Sequence, residues 1–188
     1  MDDITEAINN IAILFMFGIG LIYAILGTQF KSYLQPLIVL TTVPMAFTGV
    51  IFGLLLSGNP LSLYTLYGVV ALAGIAVNSA IVLIASANER VGKGLSVRHA
   101  IIYAARRRVV PILITSMTTI AGLFSLAVGL GGKSLVWGPV AGSIVWGLAI
   151  STMLTLFVVP LMYILMSKRV ADGLKRVELP GASEQLSI

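Results

Sequence analysis

Five long apolar stretches, none containing an Asp, Glu, Lys or Arg, set the solvent in which this chain can fold. They cover residues 8–29, 33–56, 64–87, 109–128 and 136–166. Each has about 20 residues or more, enough at ~1.5 Å per residue to cross the ~30 Å hydrocarbon core of a bilayer. A soluble helical bundle would need polar faces at helical period, and these stretches have none. A chain of 188 residues that is 58% hydrophobic and 10% charged has too much apolar surface for one soluble core. The expected fold is therefore all-α: a polytopic membrane bundle of five transmembrane helices.

The charges orient it. Lys31 falls between the first two spans. Arg90, Lys93, Arg98, Arg106, Arg107 and Arg108 fall between the third and fourth, and Lys168, Arg169, Lys175 and Arg176 follow the fifth. Five crossings put all of these on one side, leaving Lys133 with Asp2, Asp3 and Glu6 on the other. Positive residues stay cytoplasmic, which predicts an N-out/C-in topology with a periplasmic stub over 1–7 and a cytoplasmic tail over 167–188. The same clustering at span ends explains the net charge of +5 without nucleic acid. The first ten residues are acidic and polar, unlike a signal peptide. An N-out first helix of this kind predicts a piece of a larger protein, or a chain derived from one.

Chemistry is sparse. There is no cysteine, and the single histidine, His99, sits in a basic segment without nearby carboxylates, so no metal site and no cofactor are expected. No nucleophile–base pair or carboxylate pair is present, so no catalytic residue is assigned and an enzyme is not expected.

Within the spans, small residues recur at helical spacing. Gly49 and Gly53 lie four apart in the second span, behind Pro44, which should kink that helix while Thr41 and Thr42 satisfy freed carbonyls. The short KSYLQP turn should make spans one and two a tight antiparallel pair. Gly68, Ala71, Gly74 and Asn78 share a face of the third span, and Thr115, Thr118, Gly122 and Ser125 form a weakly polar stripe on the fourth. The fifth has Ser143, Gly147, Ser151 and Thr155 at four-residue spacing, with Gly138 and Gly142 nearby, and Pro160 should bend its end. Gly49, Gly53, Gly74, Gly122, Gly138, Gly142 and Gly147 are the expected helix-packing positions. The segment at about 96–108, capped by Ser96, is expected to be a short amphipathic cytoplasmic helix with Val97, Ile101 and Ala104 toward lipid. It reads as a positive-inside anchor, with a regulatory or lipid-sensing helix as the alternative.

The segment YAILGTQFKSYLQPLIVLTTVPMAFTGVIFGLLLSGNPLSLYTLYGVVALAGIAVNSAIVLI resembles the eighth to tenth membrane helices of resistance-nodulation-cell division (RND) efflux permeases of the acriflavine-resistance type. RRRVVPILITSMTTIAGLFSLAVG resembles their eleventh helix, and GPVAGSIVWGLAISTMLTLFVVPLMYIL their twelfth. The likeness runs from about residue 11 to about 166.

The resemblance implies a proton-driven multidrug efflux pump of the Gram-negative inner membrane. It implies partners too: the remaining N-terminal half with its periplasmic domains, two further copies in a homotrimer, a periplasmic adaptor, an outer-membrane channel and the lipid bilayer. The aspartate pair of the family's proton relay belongs to its fourth helix, outside the matched segment. Where drug pumps often carry a lysine in the tenth helix, this chain has Asn78, which hydrogen-bonds but cannot ionise. The relay threonine of the eleventh helix matches Thr115, and the arginine before that helix matches Arg108. Asn78 lies ten residues before Asn88, and Thr115 seven after Arg108. At ~1.5 Å per residue both lie at similar depth, roughly 15 and 10 Å in.

These three residues are expected to be proton-relay neighbours, Asn78 alternatively serving as interhelical glue. The expected function is the transmembrane half of an efflux transporter, unable to pump alone. An autonomous or relic scaffold beside an intact permease, or a lipid-exporting or protein-export branch of the superfamily, are the alternatives.

Overall fold

The computed structural model describes residues 2–58, 60–132 and 134–178, with side-chain surroundings defined within 4–167. All of its regular secondary structure over those residues is helical: α1 (Asp2–Phe30), α2 (Leu34–Leu40), α3 (Thr42–Ser57), α4 (Leu63–Gly92), α5 (Val97–Val128) and α6 (Trp137–Glu178). Among the described residues five spans are long and apolar enough to cross a membrane: Ile4–Phe30, Leu34–Ser57, Leu63–Gly92, Val97–Val128 and Trp137–Ser167.

The second span is two helices because of Pro44. Its ring removes the N–H that would bond to the Leu40 carbonyl and crowds that oxygen. The helix yields one turn earlier, at Thr41. The Thr41 hydroxyl donates to the Ile38 carbonyl and the Thr42 hydroxyl to that of Val39, each at 2.7 Å. Pro111 and Pro160, by contrast, sit inside continuous helices.

The turns are short and chemically plain. Lys31 takes a left-handed φ of 49° to close the α1–α2 turn. Gly58 (φ 64°) ends α3, and Ser62 opens α4 with a reciprocal capping pair: the Thr65 amide donates to Ser62 Oγ at 3.2 Å, and the Ser62 amide to Thr65 Oγ1 at 3.4 Å.

α6 is the hub. It packs against α5, α3 and α4 and less extensively against α2. The strict four-residue repeat of its small residues is the contact stripe: Ser143, Gly147, Ser151 and Thr155 are all buried. In a bilayer, where lipid tails are as apolar as leucine, close van der Waals approach of this kind holds helices together. Two apolar clusters flank it. One joins Ala46, Val50, Leu72, Ala76, Ile144 and Leu148. The other gathers Leu26, Ile38, Val39, Leu83, Ile84, Ile101, Ala104, Val159 and Tyr163 toward the arginine-bearing end.

Two expectations are corrected. Spans one and two are not a tight pair along their length. α1 packs on α2 and α4 but its backbone does not approach α3. A cleft of about 560 Å³ opens between them, lined by Ile11, Phe15, Val43, Pro44, Phe47 and Val69 among others.

Residues 96–108 are not a separate amphipathic helix. Val97 begins α5, which runs unbroken to Val128. Ile101 and Ala104 are fully buried in the second cluster rather than turned to lipid. The reason is that α4 continues through Asn88, Glu89 and Arg90 to Gly92, leaving a turn of only 93–96 closed by Gly94 at φ 88°. The next helix must therefore start against the bundle.

The expected tail is helical at its start, since α6 extends to Glu178; residues 179–188 lie outside the described residues.

Candidate functional site

Asn78 lies on α4 and Thr115 on α5, two helices that pack against each other. Both side chains are exposed on the surface of the bundle. They share no hydrogen bond. Among the described residues Asn78 has no hydrogen-bond partner, whereas the Thr115 hydroxyl donates within its own helix, to the carbonyls of Pro111 (3.0 Å) and Ile112 (2.9 Å). Its oxygen keeps acceptor capacity for an incoming donor. Arg108 is half-buried one turn before Ile112.

The expected face of α4 splits. Gly68 turns inward, where an added Cβ would stand 2.8 Å from Ser143 Cβ on α6. Ala71, Gly74 and Asn78 are exposed. The stripe on α5 behaves as the second set: Thr115, Thr118, Gly122 and Ser125 are all exposed.

The seven glycines sort the same way. Added Cβ atoms at Gly49, Gly53 and Gly147 would collide with the bundle. At Gly49 the obstacle is the Gly147 backbone at 3.0 Å; at Gly53 it is Trp146, and at Gly147 it is Leu72 and Val50. At Gly74, Gly122, Gly138 and Gly142 a Cβ would meet nothing within 4 Å. Among the described residues these four contact nothing that demands a glycine. Gly68, placed with Asn78 on one face by the sequence but not among the expected packing positions, does.

Sequence reasoning also missed the polar links that tie helices together. Asn88 on α4 exchanges a reciprocal pair with Gln35 on α2 (2.6 and 3.1 Å) and accepts from the Tyr163 hydroxyl on α6 at 2.7 Å. The bonds join the start of α2, the end of α4 and the late part of α6, placing those three at one end of the bundle. Ser116 and Thr152 share a buried hydroxyl–hydroxyl bond of 2.9 Å between α5 and α6. At the α4–α5 turn, Lys93 pairs with Glu89 at 2.6 Å, and Ser96 Oγ lies 2.7 Å from His99 Nδ1. Among the described residues no group of His, Asp or Glu could hold a metal ion.

Comparison with known proteins decides the family. The AcrB/AcrD/AcrF family profile matches residues 2–167, which takes in all five spans. The chain belongs to this family. RND permeases are secondary transporters, so the chain is not an enzyme, and with its five spans it is a multi-pass protein of the bacterial inner membrane.

It is similar to the swarming motility protein SwrC of Bacillus subtilis, with 33% identity over 97% of this chain and 17% of that protein. The multidrug resistance protein MdtC of Erwinia tasmaniensis is 35% identical over 82% of this chain and 15% of its own length. A crystal structure of a heavy metal efflux pump superposes with a TM-score of 0.77 at 31% identity, over 89% of this chain and 16% of the pump. The chain thus spans about a sixth of the length of these relatives.

Proposed function

We propose that the chain is the C-terminal transmembrane portion, helices eight to twelve, of a proton-driven RND efflux transporter, and that it does not pump alone. The family match supports this, since it covers every span of the chain yet corresponds to 15–17% of the relatives' length. On this reading α1 enters from the periplasmic side and the arginine-bearing end is cytoplasmic, as the positive-inside rule requires. An N-terminal half carrying the periplasmic domains, two further copies in a trimer, an adaptor and an outer-membrane channel complete the assembly.

The bare faces of α4 and α5 are where the missing half packs. An unpartnered amide facing hydrocarbon is costly. Glycines that meet nothing among the described residues are suited to a close approach by another helix. Asn78, Thr115 and Arg108 are then neighbours of the proton-carrying carboxylates contributed by that half. Asn78 donates to a carboxylate without itself changing charge, and Thr115 accepts or relays a proton beside it. Protonation of a carboxylate in hydrocarbon shifts which helix packing is stable, which is the coupling step.

The test is Asn78→Ala in the complete transporter: drug efflux falls while the amount of protein in the membrane stays constant. Unaltered efflux removes Asn78 from the mechanism.

A further inference from the structure

One charged cluster is absorbed by neither the packing nor the proposed relay. At the α4–α5 turn two arginines converge on one tyrosine. The Arg90 guanidinium carbon lies 3.8 Å from the Tyr103 ring centroid, and that of Arg107 lies 5.5 Å from it. Arg107 follows Tyr103 by one turn of α5; Arg90 reaches across from α4.

Two like charges are thus held around one ring. Glu89, the only acidic residue between 7 and 171, is engaged by Lys93. Among the described residues Arg90, Arg98, Arg106, Arg107 and Arg108 have no carboxylate partner. Arg90 Nε is shut off from solvent and has no hydrogen-bond partner. A buried guanidinium N–H without an acceptor, beside a second guanidinium, calls for an anion with several acceptor oxygens.

What lies next to the cluster says which anion. Tyr103, Arg107, Val110, Ile114 and Met117 follow one another at four- and three-residue spacing, so they form one stripe of α5. The stripe is bare throughout: Val110, Ile114 and Met117 are 61%, 60% and 69% exposed. A charged grip therefore continues directly into an apolar track along the helix. A free anion would use only the grip; an amphiphile uses both.

We propose that Arg90 and Arg107, braced on Tyr103, hold the phosphodiester of an anionic lipid in the leaflet at the arginine-bearing end, with an acyl chain lying along Val110, Ile114 and Met117. Basic pockets between membrane helices are suited to such headgroups. The weakly hydrated, planar guanidinium matches phosphate oxygens in pairs. A zwitterionic lipid fits worse, because its cationic group would meet the remaining arginines. The proposal rests on the membrane placement of the chain and on the proposed second half covering the face of Asn78 and Thr115 rather than this stripe.

The test is native mass spectrometry of the full chain in neutral detergent, titrated in parallel with phosphatidylglycerol, phosphatidylcholine and inorganic phosphate. Phosphatidylglycerol should bind at least fivefold more tightly than phosphatidylcholine. Arg107→Gln and Tyr103→Leu should each abolish that preference, and Arg106→Gln, which removes an equal charge away from the ring, should keep it within twofold. Arg90→Gln should match Arg107→Gln while retaining the helical circular dichroism of the parent.

Equal binding of the two lipids would overturn the proposal, as would a preference that survives Arg107→Gln and Tyr103→Leu. An equal loss in Arg106→Gln would reduce the effect to diffuse charge. Phosphate binding as tightly as the lipid would make this a free-anion site.

Discussion

Two sets of small residues look alike in this sequence and behave oppositely in the fold. Gly49, Gly53, Gly68 and Gly147 sit where α3, α4 and α6 press together, and a single added methyl at any of them meets a neighbour. Ala71, Gly74, Asn78, Thr115 and Gly122 lie exposed on α4 and α5, and among the described residues a Cβ at either glycine would meet nothing. Both sets have the composition of a helix–helix contact. The difference teaches that such a stripe announces close packing but not the packing partner. A chain that carries both kinds keeps one set for itself and leaves the other bare.

The largest effect should come from filling the closed seam. Gly147→Leu forces new atoms against Leu72 and Val50, so it should destabilise the purified chain by about 1–3 kcal/mol or more, read by thermal unfolding in detergent. Gly74→Leu, on the bare face, should cost less than about 0.5 kcal/mol there. If the two variants unfold alike, the distinction between the seam and the bare face collapses.

Next in size is Asn88→Leu. It removes three interhelical hydrogen bonds, each worth about 0.6 kcal/mol on average in membrane bundles, for a loss of about 1–2 kcal/mol. Ser116→Ala breaks one bond between α5 and α6 and should cost about 0.6 kcal/mol by the same measurement. The smallest change should be Asn78→Ala, which has no bond to lose among the described residues. Its stability should stay within about 0.5 kcal/mol of the parent. A larger loss would mean Asn78 already serves this bundle as glue.

The five crossings were legible because uncharged apolar runs of bilayer length admit few alternatives, and the α6 stripe because a four-residue repeat of Ser, Gly and Thr is hard to mistake. The ends of the helices were not. Hydropathy marks where lipid ends, and α4 passes that point through Asn88, Glu89 and Arg90, none of which stops a helix. That extension carries Arg90 to Tyr103 and turns the expected surface helix into the first turns of α5.

The Asn88 network was invisible because Gln35 and Tyr163 lie 53 and 75 residues from it in the chain. The loose placement of α1 was equally hidden. Only 6% of its most apolar stretch is buried, against 50% for that of α4, yet both have a mean hydropathy of 2.3. Nothing in a uniformly apolar helix tells lipid from protein on its far side. At the candidate site, residue identities could be matched to a family pattern, but which of Gly68 and Asn78 is buried depends on where α6 docks.

The central claim is that a further polypeptide covers the face of α4 and α5 that carries Asn78. The most direct measurement places a photo-reactive benzophenone side chain at position 78, with the same group at Phe157, which is 77% exposed, as a reference in the native membrane. The account predicts that position 78 cross-links to polypeptide, within transporter helices outside this chain, while position 157 yields lipid adducts. Lipid adducts alone at both positions would contradict it and leave the bare face a lipid-facing surface.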